Sequence, residues 1–376
     1  MRRVLLITEG IGIRRFGGAQ VVLRIMDYLK ETDLLYKTVV LSAGEIPNAH
    51  KASIIKASKP FLKGQVIFGL ANLLEQHLED LSPDLIHIHG VFTGLQKTAV
   101  KVAKKQGIPT ILSVHGMLEP QIWALLPPFV SLGKRWYWQK VLRPALRQVS
   151  WVHAITRLEG ITLDKEFPDI PQVLIPNAID LKNLPAPDRD MSPEKRIVFL
   201  GRLHPKKGVD LLIRAFASAH LESDWRLDIV GPDFDRAYSE RLRELAAGLD
   251  PLGRISFLGP VYGEEKYRIL QNAWVVIVPS YSEVVALVNL EAAGMGTPSI
   301  TTTQTGLHDW QESGGLLIEP EVEALRQALM QAASWTLAER LARGQQARKF
   351  VEERYSWDVI GPRWVQAYQQ IAGGRS

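Results

Sequence analysis

The chain of 376 residues contains no cysteine. This absence excludes disulfide bonds, thiolate catalysis and zinc-finger sites, and it is compatible with folding in a reducing compartment. Apolar runs are short: none approaches the roughly 18 residues of a membrane-spanning helix, and the apolar part of the N-terminal MRRVLLITEG is too short for a signal peptide. We therefore expect a cytoplasmic protein.

Positive charge is unevenly distributed along the chain. The net charge of +5 is the sum of +7 for residues 1–180 and −2 for residues 181–376. A basic first half favours an anionic partner. No nucleic-acid-binding motif is present, and no Lys/Arg-rich helix carries interleaved aromatics of the base-stacking type, so we do not expect nucleic acid. The length and the composition, 46% hydrophobic and 23% charged, indicate a globular protein of two domains.

The stretch from Val275 to Thr303 has the pattern of a strand, a loop, a helix and a second strand. Val275–Val278 is a short apolar run before a proline, which is typical of a buried parallel strand. Leu287–Ala293 has helical spacing, and Gly-Thr-Pro at 296–298 ends the helix. Ser299–Thr303 begins another β-rich run. Open α/β sheets bind ligands in the loops that follow such strands.

Two carboxylates, Glu283 and Glu291, stand eight residues apart in this stretch. An ionised carboxylate only accepts hydrogen bonds, so hydroxyls are its natural partners. The backbone N–H groups of Val284, Val285 and Ala286 are predicted to form the N-terminus of the helix, which attracts anions. Together these groups suit a ligand with sugars and phosphates. The alternative is structural: Glu283 caps the helix and Glu291 lies on its solvated face.

The spacing Glu-x7-Glu, followed by Ala-Ala-Gly-x-Gly-Thr-Pro at 292–298, resembles the family-4 retaining glycosyltransferases of the GT-B fold, also called group 1. The chain departs from the family pattern in one place. The family usually has Gly-Phe-Gly or a similar triplet after the first glutamate, where this chain has Val284-Val285-Ala286. β-branched side chains make a close approach of the backbone to a phosphate harder.

A second motif follows a strand predicted at Arg196–Leu203. The segment from Gly201 to Asp210, GRLHPKKGVD, resembles the family signature G-R-x4-K-G-hydrophobic-D. A departing nucleoside diphosphate gains negative charge, which positioned arginine and lysine side chains stabilise. We assign Arg202 and Lys207 to the diphosphate and expect Lys206 in solvent.

The first half begins with a strand at Val4–Thr8, a glycine-rich loop at 9–18 and a helix at Ala19–Lys30. This order is that of a phosphate cradle. Gly17 and Gly18 resemble the Gly-Gly loop of the family's first domain, which implies a position near the donor and the acceptor. Further alternating strands and helices predict a parallel, doubly wound sheet.

Histidines lie at the ends of two predicted strands in this half. His87 and His89 alternate on the strand Leu85–His89, where metal ligation and a core or rim position are both open, although no third ligand is apparent. His115 follows the strand Thr110–Val114. The family resemblance implies that a histidine in this loop contacts the transferred sugar. The phrase HGMLEP resembles a subgroup placed in cell-envelope polysaccharide assembly.

Residues 121–147 combine an uncharged segment with a basic amphipathic helix. At helical spacing one stripe is basic and polar, and the opposing stripe is apolar. The first contains Arg135, Gln139, Arg143 and Arg147, and the second contains Trp138, Val141, Leu142, Ala145 and Leu146. Pro144 is expected to kink or end the helix. Such a helix can lie on an anionic membrane surface, which is our hypothesis for residues 131–147; a domain helix with a solvated basic side is the alternative.

The resemblance implies an α/β protein of the GT-B fold, with two Rossmann-like, doubly wound domains that face a cleft. We place an acceptor domain at 1–183, joined by the C-terminal helix 356–376, and a donor domain at 184–355, because the polar, proline-rich segment 184–193 is typical of a linker. The implied donor contacts are Gly17, Gly18, Arg202, Lys207, Glu283, Val284, Val285, Ala286, Leu287 and Glu291. The implied catalytic residues are His115, Glu283, Arg202 and Lys207.

These features predict a retaining glycosyltransferase that moves a sugar from a UDP- or GDP-sugar to a saccharide or lipid-linked acceptor in cell-envelope assembly. No Asp-x-Asp pair stands at a strand end, and two cations can replace a divalent ion on the diphosphate, so we expect neither metal nor another cofactor. Peripheral attachment to the inner face of the plasma membrane accompanies the membrane hypothesis. The alternatives are a GT-B epimerase or phosphorylase, and an inactive paralogue that acts as a scaffold, which the departure at 284–286 keeps open.

Overall fold

The computed structural model of the protein describes residues 3–11, 18–43, 51, 53–56, 70–120, 123, 127–185 and 193–373. The chain divides into two compact units. Unit 1 contains Met1–Pro176 and Ile360–Ser376, and unit 2 contains Asn177–Val359. Unit 1 is therefore assembled from both ends of the chain.

The described part of unit 1 is built on a seven-stranded parallel sheet. Its strands are β1 (Arg3–Ile11), β2 (Leu35–Ala43), β3 (Ile54–Lys56), β4 (Leu85–His89), β5 (Thr110–Ser113), β6 (Trp151–Ala154) and β7 (Gln172–Leu174). Their order in the sheet is β3-β2-β1-β4-β5-β6-β7. The chain winds to one side from β1 and to the other from β4, so these two strands flank the topological switch point.

Unit 2 repeats this winding with a six-stranded parallel sheet in its described residues. Its strands are β8 (Glu194–Leu200), β9 (Arg226–Val230), β10 (Ile255–Gly259), β11 (Ala273–Val278), β12 (Ser299–Thr302) and β13 (Leu316–Ile318). Their order is β10-β9-β8-β11-β12-β13. The switch point of unit 2 therefore lies between β8 and β11.

Helices cover both faces of the sheets. Unit 1 contains α1 (Gly18–Lys30), α2 (Leu70–Leu81), α3 (Gly94–Lys105), α4 (Pro128–Tyr137), α5 (Arg143–Leu146) and α6 (Arg157–Glu166). Unit 2 contains α7 (Val209–Ser218), α8 (Arg236–Leu249), α9 (Gly263–Asn272), α10 (Leu287–Gly294), α11 (Val322–Ala333) and α12 (Leu337–Arg354). The last helix, α13 (Trp357–Gly373), begins at the end of unit 2 and lies mostly in unit 1. None of the helices described here combines the length and the apolar content that a bilayer crossing needs.

The central strands are covered on both faces, which explains their apolar sequences. Every side chain of β4 and of β11 is buried, as expected for strands inside a parallel sheet. In β4 the buried set includes two histidines, His87 and His89. Burial of these polar rings requires hydrogen-bond partners inside unit 1.

Several element bounds differ from the sequence prediction for local reasons. The sequence prediction leaves out β3, α6 and α8. In α6 the cause is local, because charged residues in RLEGITLDKE interrupt any apolar stripe. The strand predicted at Arg196–Leu203 ends at Leu200. The Gly201 and Leu203 N–H groups bond instead to the carbonyls of Val230 and Pro232, at 2.9 and 3.0 Å.

The segment around Pro144 is helical, as predicted, but its helical register changes. α4 is followed by a π-helical turn at Trp138–Leu142, and α5 carries Pro144 in its first turn. Proline lacks the N–H that would bond four residues back. The wider π turn immediately before it accommodates this missing bond, so the predicted break at Pro144 takes the form of a local unwinding.

Two arginines of the predicted membrane-facing stripe contact α6. The Arg143 Nε lies 2.9 Å from Glu166 Oε2, and the Arg147 Nε donates to the Glu166 carbonyl oxygen at 2.9 Å. Trp138 is buried and donates from its indole nitrogen to Glu166 Oε2 at 3.0 Å. These arginines thus cap the C-terminus of α6, where cations stabilise the free carbonyl groups. These contacts give Arg143 and Arg147 a structural role, and their lipid role stays a prediction.

Candidate active site

Three of the donor residues predicted from the sequence, Arg202, Lys207 and Glu283, lie at the carboxyl ends of β8 and β11, the strands that flank the switch point of unit 2. The loop after β8 contains a short 3-10 helix, Pro205–Lys207, and then Gly208. Gly208 has a φ of +66°, and a Cβ there would overlap the carbonyl oxygen of Pro279, so this approach of the two loops requires glycine. The Tyr281 N–H donates to the Lys206 carbonyl oxygen at 2.8 Å and ties the loops together.

Lys207 and Glu283 meet between these loops. The Lys207 Nζ contacts Glu283 Oε1 directly, and the two side chains are 18% and 12% exposed. Burial would raise the pKa of Glu283, but the charges of Lys207 and Lys206 and the hydrogen bonds from Lys207 and Ser280 outweigh burial and lower that pKa. Glu283 is therefore ionised at neutral pH and can accept hydrogen bonds from hydroxyls. Lys206, which the sequence places in solvent, is half-buried and adds charge to the site.

Arg202 lies at the same edge of the sheet and is held by an aromatic ring. Its guanidinium carbon lies 5.1 Å from the centroid of Phe234, in the loop after β9. The His204 ring also contacts Phe234, with centroids 4.8 Å apart. Burial and the charges of Lys206, Arg202 and Lys207 lower the pKa of His204, whose neutral Nδ1 accepts the Lys206 N–H at 3.2 Å. The sequence analysis does not predict Phe234. The feature that could have indicated it is its position in the loop after a strand, where such sheets bind ligands.

The helix of the acidic motif, α10, begins at Leu287, as its helical spacing predicts, but the N–H groups of Val284 and Val285 do not form its N-terminus as predicted. Val284–Ala286 form an irregular loop, and Ala286 has φ −78° and ψ 89°. The Glu283 N–H donates to the Gln304 carbonyl oxygen at 2.8 Å. Two adjacent β-branched residues favour such an extended path over a helical turn. The anion-attracting helix end therefore belongs to Leu287, three residues later than predicted.

Glu291, on α10, pairs with a lysine that no motif predicts. The Lys266 Nζ, on α9, lies 2.7 Å from Glu291 Oε1, and the two side chains are 20% and 18% exposed. The ion pair fixes the direction of the Glu291 carboxylate. Only the packing of α9 against α10 brings the two residues together, so the sequence carries no signal for Lys266.

A buried network of polar side chains connects α10 to β12. Asn289 is fully buried; its amide donates to Thr301 Oγ1 at 2.9 Å and accepts from Ser299 Oγ at 2.8 Å. Both partners belong to β12, so the helix that carries Glu291 is fixed to the neighbouring strand. Satisfied buried networks of this kind hold one geometry.

His115, after β5, has a left-handed backbone conformation. Its φ is +53°, and that of Gly116 is +70°. For a residue with a side chain such a conformation costs about 1–3 kcal/mol and persists where the surroundings enforce it. Glu159, on α6, does so: its carboxylate accepts the Gly116 N–H at 2.5 Å and the Ile155 N–H at 2.7 Å. Sequence reasoning misses Glu159 together with its helix.

The protonation of these two side chains is set by burial. Burial raises the pKa of Glu159 to about 7, although its backbone hydrogen bonds act in the opposite direction. Burial lowers the pKa of His115 to about 4. His115 is therefore neutral at physiological pH and has one donor and one acceptor nitrogen. That capacity suits a contact with a sugar hydroxyl.

His115 belongs to a cluster with His87, His89 and His153. The His89 Nδ1 lies 3.0 Å from His115 Nε2, and the ring centroids of His87 and His89 are 3.9 Å apart. Burial lowers the pKa of His87 and His89 well below the ordinary value and that of His153 to about 3. His87 and His89 thus occupy the core of unit 1, one of the two positions the sequence leaves open. In the described ranges no three His, Cys, Asp or Glu side chains form a group that could hold a metal ion.

The structure places the predicted residues at the carboxyl edges of two sheets. Arg202, Lys207 and Glu283 lie at that edge in unit 2, and His115 lies at that edge in unit 1. Gly18 is the first residue of α1, the helix after β1. Gly17 lies outside the described residues.

Two family models match the chain. The family described as Glycosyl transferases group 1 matches residues 194–334, and the family described as Glycosyltransferase Family 4 matches residues 17–183. The first segment contains the Lys207–Glu283 pair, and the second contains His115. The matched segments thus include both sheet edges.

Curated relatives are glycosyltransferases. A D-inositol 3-phosphate glycosyltransferase from Kineococcus radiotolerans is 27% identical over 353 residues, which are 85% of this chain and 79% of the relative. An uncharacterized glycosyltransferase, MJ1607, from Methanocaldococcus jannaschii is 32% identical over 180 residues, or 47% of this chain. The match spans 45% of the length of MJ1607.

A solved structure of similar fold is that of Anabaena Alr3699/HepE in complex with UDP and glucose. Its TM-score is 0.76 at 16% sequence identity, and the match covers 98% of this chain and 100% of that protein. At this level of identity the likeness concerns the fold, with two Rossmann-like α/β domains of the GT-B type.

Proposed function

Because the chain belongs to the family-4, or group 1, glycosyltransferases, we propose that it transfers a sugar from a UDP- or GDP-sugar to an acceptor hydroxyl with retention of the anomeric configuration. The observation that carries this proposal is the Lys207–Glu283 ion pair at the switch point of unit 2, with Arg202 at the same sheet edge. Cations for a diphosphate and a carboxylate for hydroxyls are the groups that a nucleotide sugar requires.

Binding of the donor exchanges the partners of the ion pair. A diphosphate offers Lys207 and Arg202 more negative charge than one carboxylate does, so Lys207 moves to the phosphates. Glu283 is then free to accept hydrogen bonds from hydroxyls of the sugar. Phe234 orients the Arg202 guanidinium, and Glu291 accepts hydrogen bonds from the ribose hydroxyls. The leucine at the start of α10, Leu287, presents its N–H to the phosphate end.

The transfer breaks the bond between the anomeric carbon and the leaving phosphate oxygen. The acceptor oxygen forms its bond to the same face of that carbon, and its proton passes to the departing phosphate oxygen. Arg202 and Lys207 stabilise the negative charge that develops on the diphosphate. In this scheme no side chain acts as a nucleophile, and two cations take the place of a divalent metal.

The acceptor that we propose is an anionic saccharide carrier of the cell envelope, such as a lipid-linked diphosphate. The charge of +7 on residues 1–180 favours an anionic acceptor. The Kineococcus relative is named for a phosphorylated polyol acceptor, D-inositol 3-phosphate. HepE binds UDP and glucose, which favours a uridine nucleotide as donor.

The membrane contact that we propose is α4 rather than the whole of 131–147. Phe129, Leu132 and Trp136 are 78%, 72% and 61% exposed, and their spacing places them along one side of the helix. Arg135 is exposed on the same helix. An exposed apolar stripe with aromatic and basic residues suits the interface of an anionic membrane. A lipid-linked acceptor would be within reach of a protein held there.

Calorimetry followed by product analysis tests the proposal. The wild-type protein should bind either UDP or GDP, and NMR of the product should show the anomeric configuration of the donor. A scaffold without activity would bind neither nucleotide. A phosphorylase would cleave a saccharide only with inorganic phosphate, and an epimerase would convert the donor with no acceptor present. Any of these three results would replace the proposed reaction.

A further inference from the structure

The histidine cluster of unit 1 consists of two hydrogen-bond systems, of which one is complete and the other is open. His87 and His153 belong to the complete system, and His89 and His115 to the open one. His89 is the last residue of β4, which flanks the switch point of unit 1, and His115 follows the adjacent strand β5. The open system therefore lies where doubly wound sheets bind ligands.

The direction of each hydrogen bond in the complete system follows from one carbonyl group. The His153 Nε2 lies 2.7 Å from the Ile175 carbonyl oxygen, which only accepts, so Nε2 carries the proton. Because His153 is neutral, its Nδ1 accepts from the Ser113 hydroxyl at 2.7 Å. The Ser113 oxygen then accepts from His87 Nε2 at 2.7 Å, and His87 Nδ1 accepts from the Tyr368 hydroxyl at 2.7 Å. Both rings are thus Nε2–H tautomers with every nitrogen paired.

The open system contains a single bond, from His89 to His115, of 3.0 Å between Nδ1 and Nε2. The other two nitrogens, His89 Nε2 and His115 Nδ1, are buried and have no hydrogen-bond partner within the described part of the chain. A buried polar atom without a partner costs about 1–3 kcal/mol. Two such atoms in one pair of rings, one of them on His115 with its left-handed backbone, indicate a site that a ligand completes.

The tautomer of His115 follows from ordinary imidazole chemistry, which favours Nε2–H in a neutral ring. If both rings take this form, as His87 and His153 must, His115 Nε2 donates to His89 Nδ1. The Nδ1 of His115 is then a bare acceptor. A hydroxyl is the ligand group that can donate to it.

We propose that His89 is a positioning residue for His115: its Nδ1 accepts the hydrogen bond from His115 Nε2 and so keeps the Nδ1 of His115 as the acceptor for a hydroxyl of the transferred sugar. This inference rests on the proposed transfer reaction, because it assigns a sugar to His115. It gives His89 a role beyond that of a core residue.

Two substitutions of His89 separate positioning from packing. Asparagine places an amide oxygen near the position of the histidine Nδ1, whereas the longer glutamine side chain places its amide near Nε2. We expect His89→Asn to retain kcat/KM within about threefold, and His89→Gln to lower kcat/KM by more than about tenfold, at similar Tm. Equal losses in both variants that follow their Tm values would overturn the inference.

Ser113→Ala is the matched control, because it interrupts the complete system and leaves the His89–His115 bond in place. It should lower Tm and leave kcat/KM of the folded protein within about twofold. A loss as large as that of His89→Gln would assign the effect to the cluster as a whole and overturn a specific role of His89.

Ring nitrogen-15 chemical shifts of the histidine-labelled protein give the tautomers without a substrate. At pH 7 the rings of His87, His89, His115 and His153 should be neutral and protonated on Nε2. An Nδ1–H tautomer of His115 would overturn the inference even in a protein with full transferase activity. The expected tautomers in a protein that transfers no sugar would instead withdraw the reaction, and with it the sugar assigned to His115.

Discussion

Lys207 keeps Glu283 ionised in a site where burial alone would raise the pKa of this carboxyl group. Their side chains are in direct contact, and the charge of Lys206 also acts on Glu283. Removal of one member of such a pair leaves a buried charge, which costs more than the pair contributes. A substitution of either residue therefore tests both its contact with the donor and its effect on the charge of its partner.

Substitution of Lys207 by methionine should lower kcat/KM by more than about tenfold, or about 1.4 kcal/mol, because the charge on the leaving diphosphate loses a cation. It should also raise the pKa of Glu283, since the cation that lowers this pKa most is removed. Steady-state kinetics measure the first effect. Lys206→Met is the control, with a loss below about threefold; equal losses would place the diphosphate elsewhere.

Chelation should not affect transfer. Arg202 and Lys207 are expected to neutralise the diphosphate without a divalent ion. Initial rates with and without EDTA, after dialysis against the chelator, should agree within about twofold. Loss of activity that magnesium or manganese restores would contradict this prediction.

Glu159 should give unit 1 a stability term that decreases as the pH rises. Its pKa of about 7 in the folded protein lies above the ordinary 4.5. The folded state therefore keeps a proton that the unfolded state has lost between these values, and the free energy of unfolding falls through this window by at most about 3 kcal/mol.

Urea unfolding at pH 5.0 and pH 7.5 of the wild type and of Glu159→Gln measures this term. The amide does not titrate, and all other groups are shared, so the difference between the two proteins isolates Glu159. The wild type should lose up to about 3 kcal/mol relative to the variant as the pH rises. A difference that is the same at both pH values would contradict the prediction.

Among the elements, α4 and the residues 138–147 that follow it do not form the single basic stripe that ideal helix geometry predicts. The π-helical turn before Pro144 shifts the register, and Arg143 and Arg147 bind α6. The part that stays exposed is α4, with large apolar side chains on one side. The second part of the segment, with Arg143 and Arg147, therefore packs against α6, and the first part, α4, is the exposed half.

The exposed half should determine membrane binding. In liposome flotation with anionic vesicles, the triple variant Phe129→Ser, Leu132→Ser and Trp136→Ser should lose most of its recovery. Each apolar side chain that enters the interface contributes about 1.5–3 kcal/mol at full burial. Tm should stay within about 2 °C, because these side chains are already exposed.

Two matched variants complete the flotation experiment. Leu252→Ser removes a side chain that is 67% exposed in unit 2 and should change nothing. Arg143→Ala should lower Tm, through its lost contact with Glu166, and leave recovery unchanged. Equal recovery of the wild type and the triple variant would end the proposal that α4 binds membranes.

What the sequence predicts depends on whether the cause is local. The bounds of β4, Leu85–His89, are those predicted, because the turn residues Pro83 and Gly90 on either side determine them locally. The sequence assigns the motif residues Lys207 and Glu283 to one site, and their side chains are in direct contact within unit 2. Lys266, Phe234 and Glu159 could not be predicted, because each acts through a contact between elements far apart in the sequence.

At the scale of the whole molecule, the two units share one winding order and differ in what they bury. Unit 1 places four histidines with lowered pKa values in and beside its core. Unit 2 instead buries Arg340, whose guanidinium donates to three main-chain carbonyls, those of Ala273, Trp274 and Gly296. Burial lowers the pKa of Arg340 to about 10, so it remains charged near neutrality.

Unit 1 should therefore be sensitive to acid. Below pH 6.5 these histidines bind protons in the unfolded state but stay neutral in the folded state. Each therefore lowers the free energy of unfolding as the pH falls, by about 1.4 kcal/mol per pH unit. The raised pKa of Glu159 acts in the opposite direction, as one group against four.

Hydrogen exchange of individual peptides, measured between pH 6.5 and pH 5 and corrected for the intrinsic rate of amide exchange, tests the acid sensitivity of unit 1. Peptides of β4, β5 and β6 should lose protection before those of β8 and β11 do. Simultaneous loss in both units would show that the buried histidines do not control acid unfolding.

The hydroxyl of Tyr368 has a consequence for any attempt to divide the protein. A recombinant fragment that stops at Pro176 would retain the whole first sheet but not α13, so the His87 ring would lose both its donor and the indole of Trp364, 5.1 Å away. Such a fragment should be poorly soluble. A circular permutant of unit 1 that begins at residue 360, joins residue 376 to residue 1 and ends at residue 176 should instead fold independently.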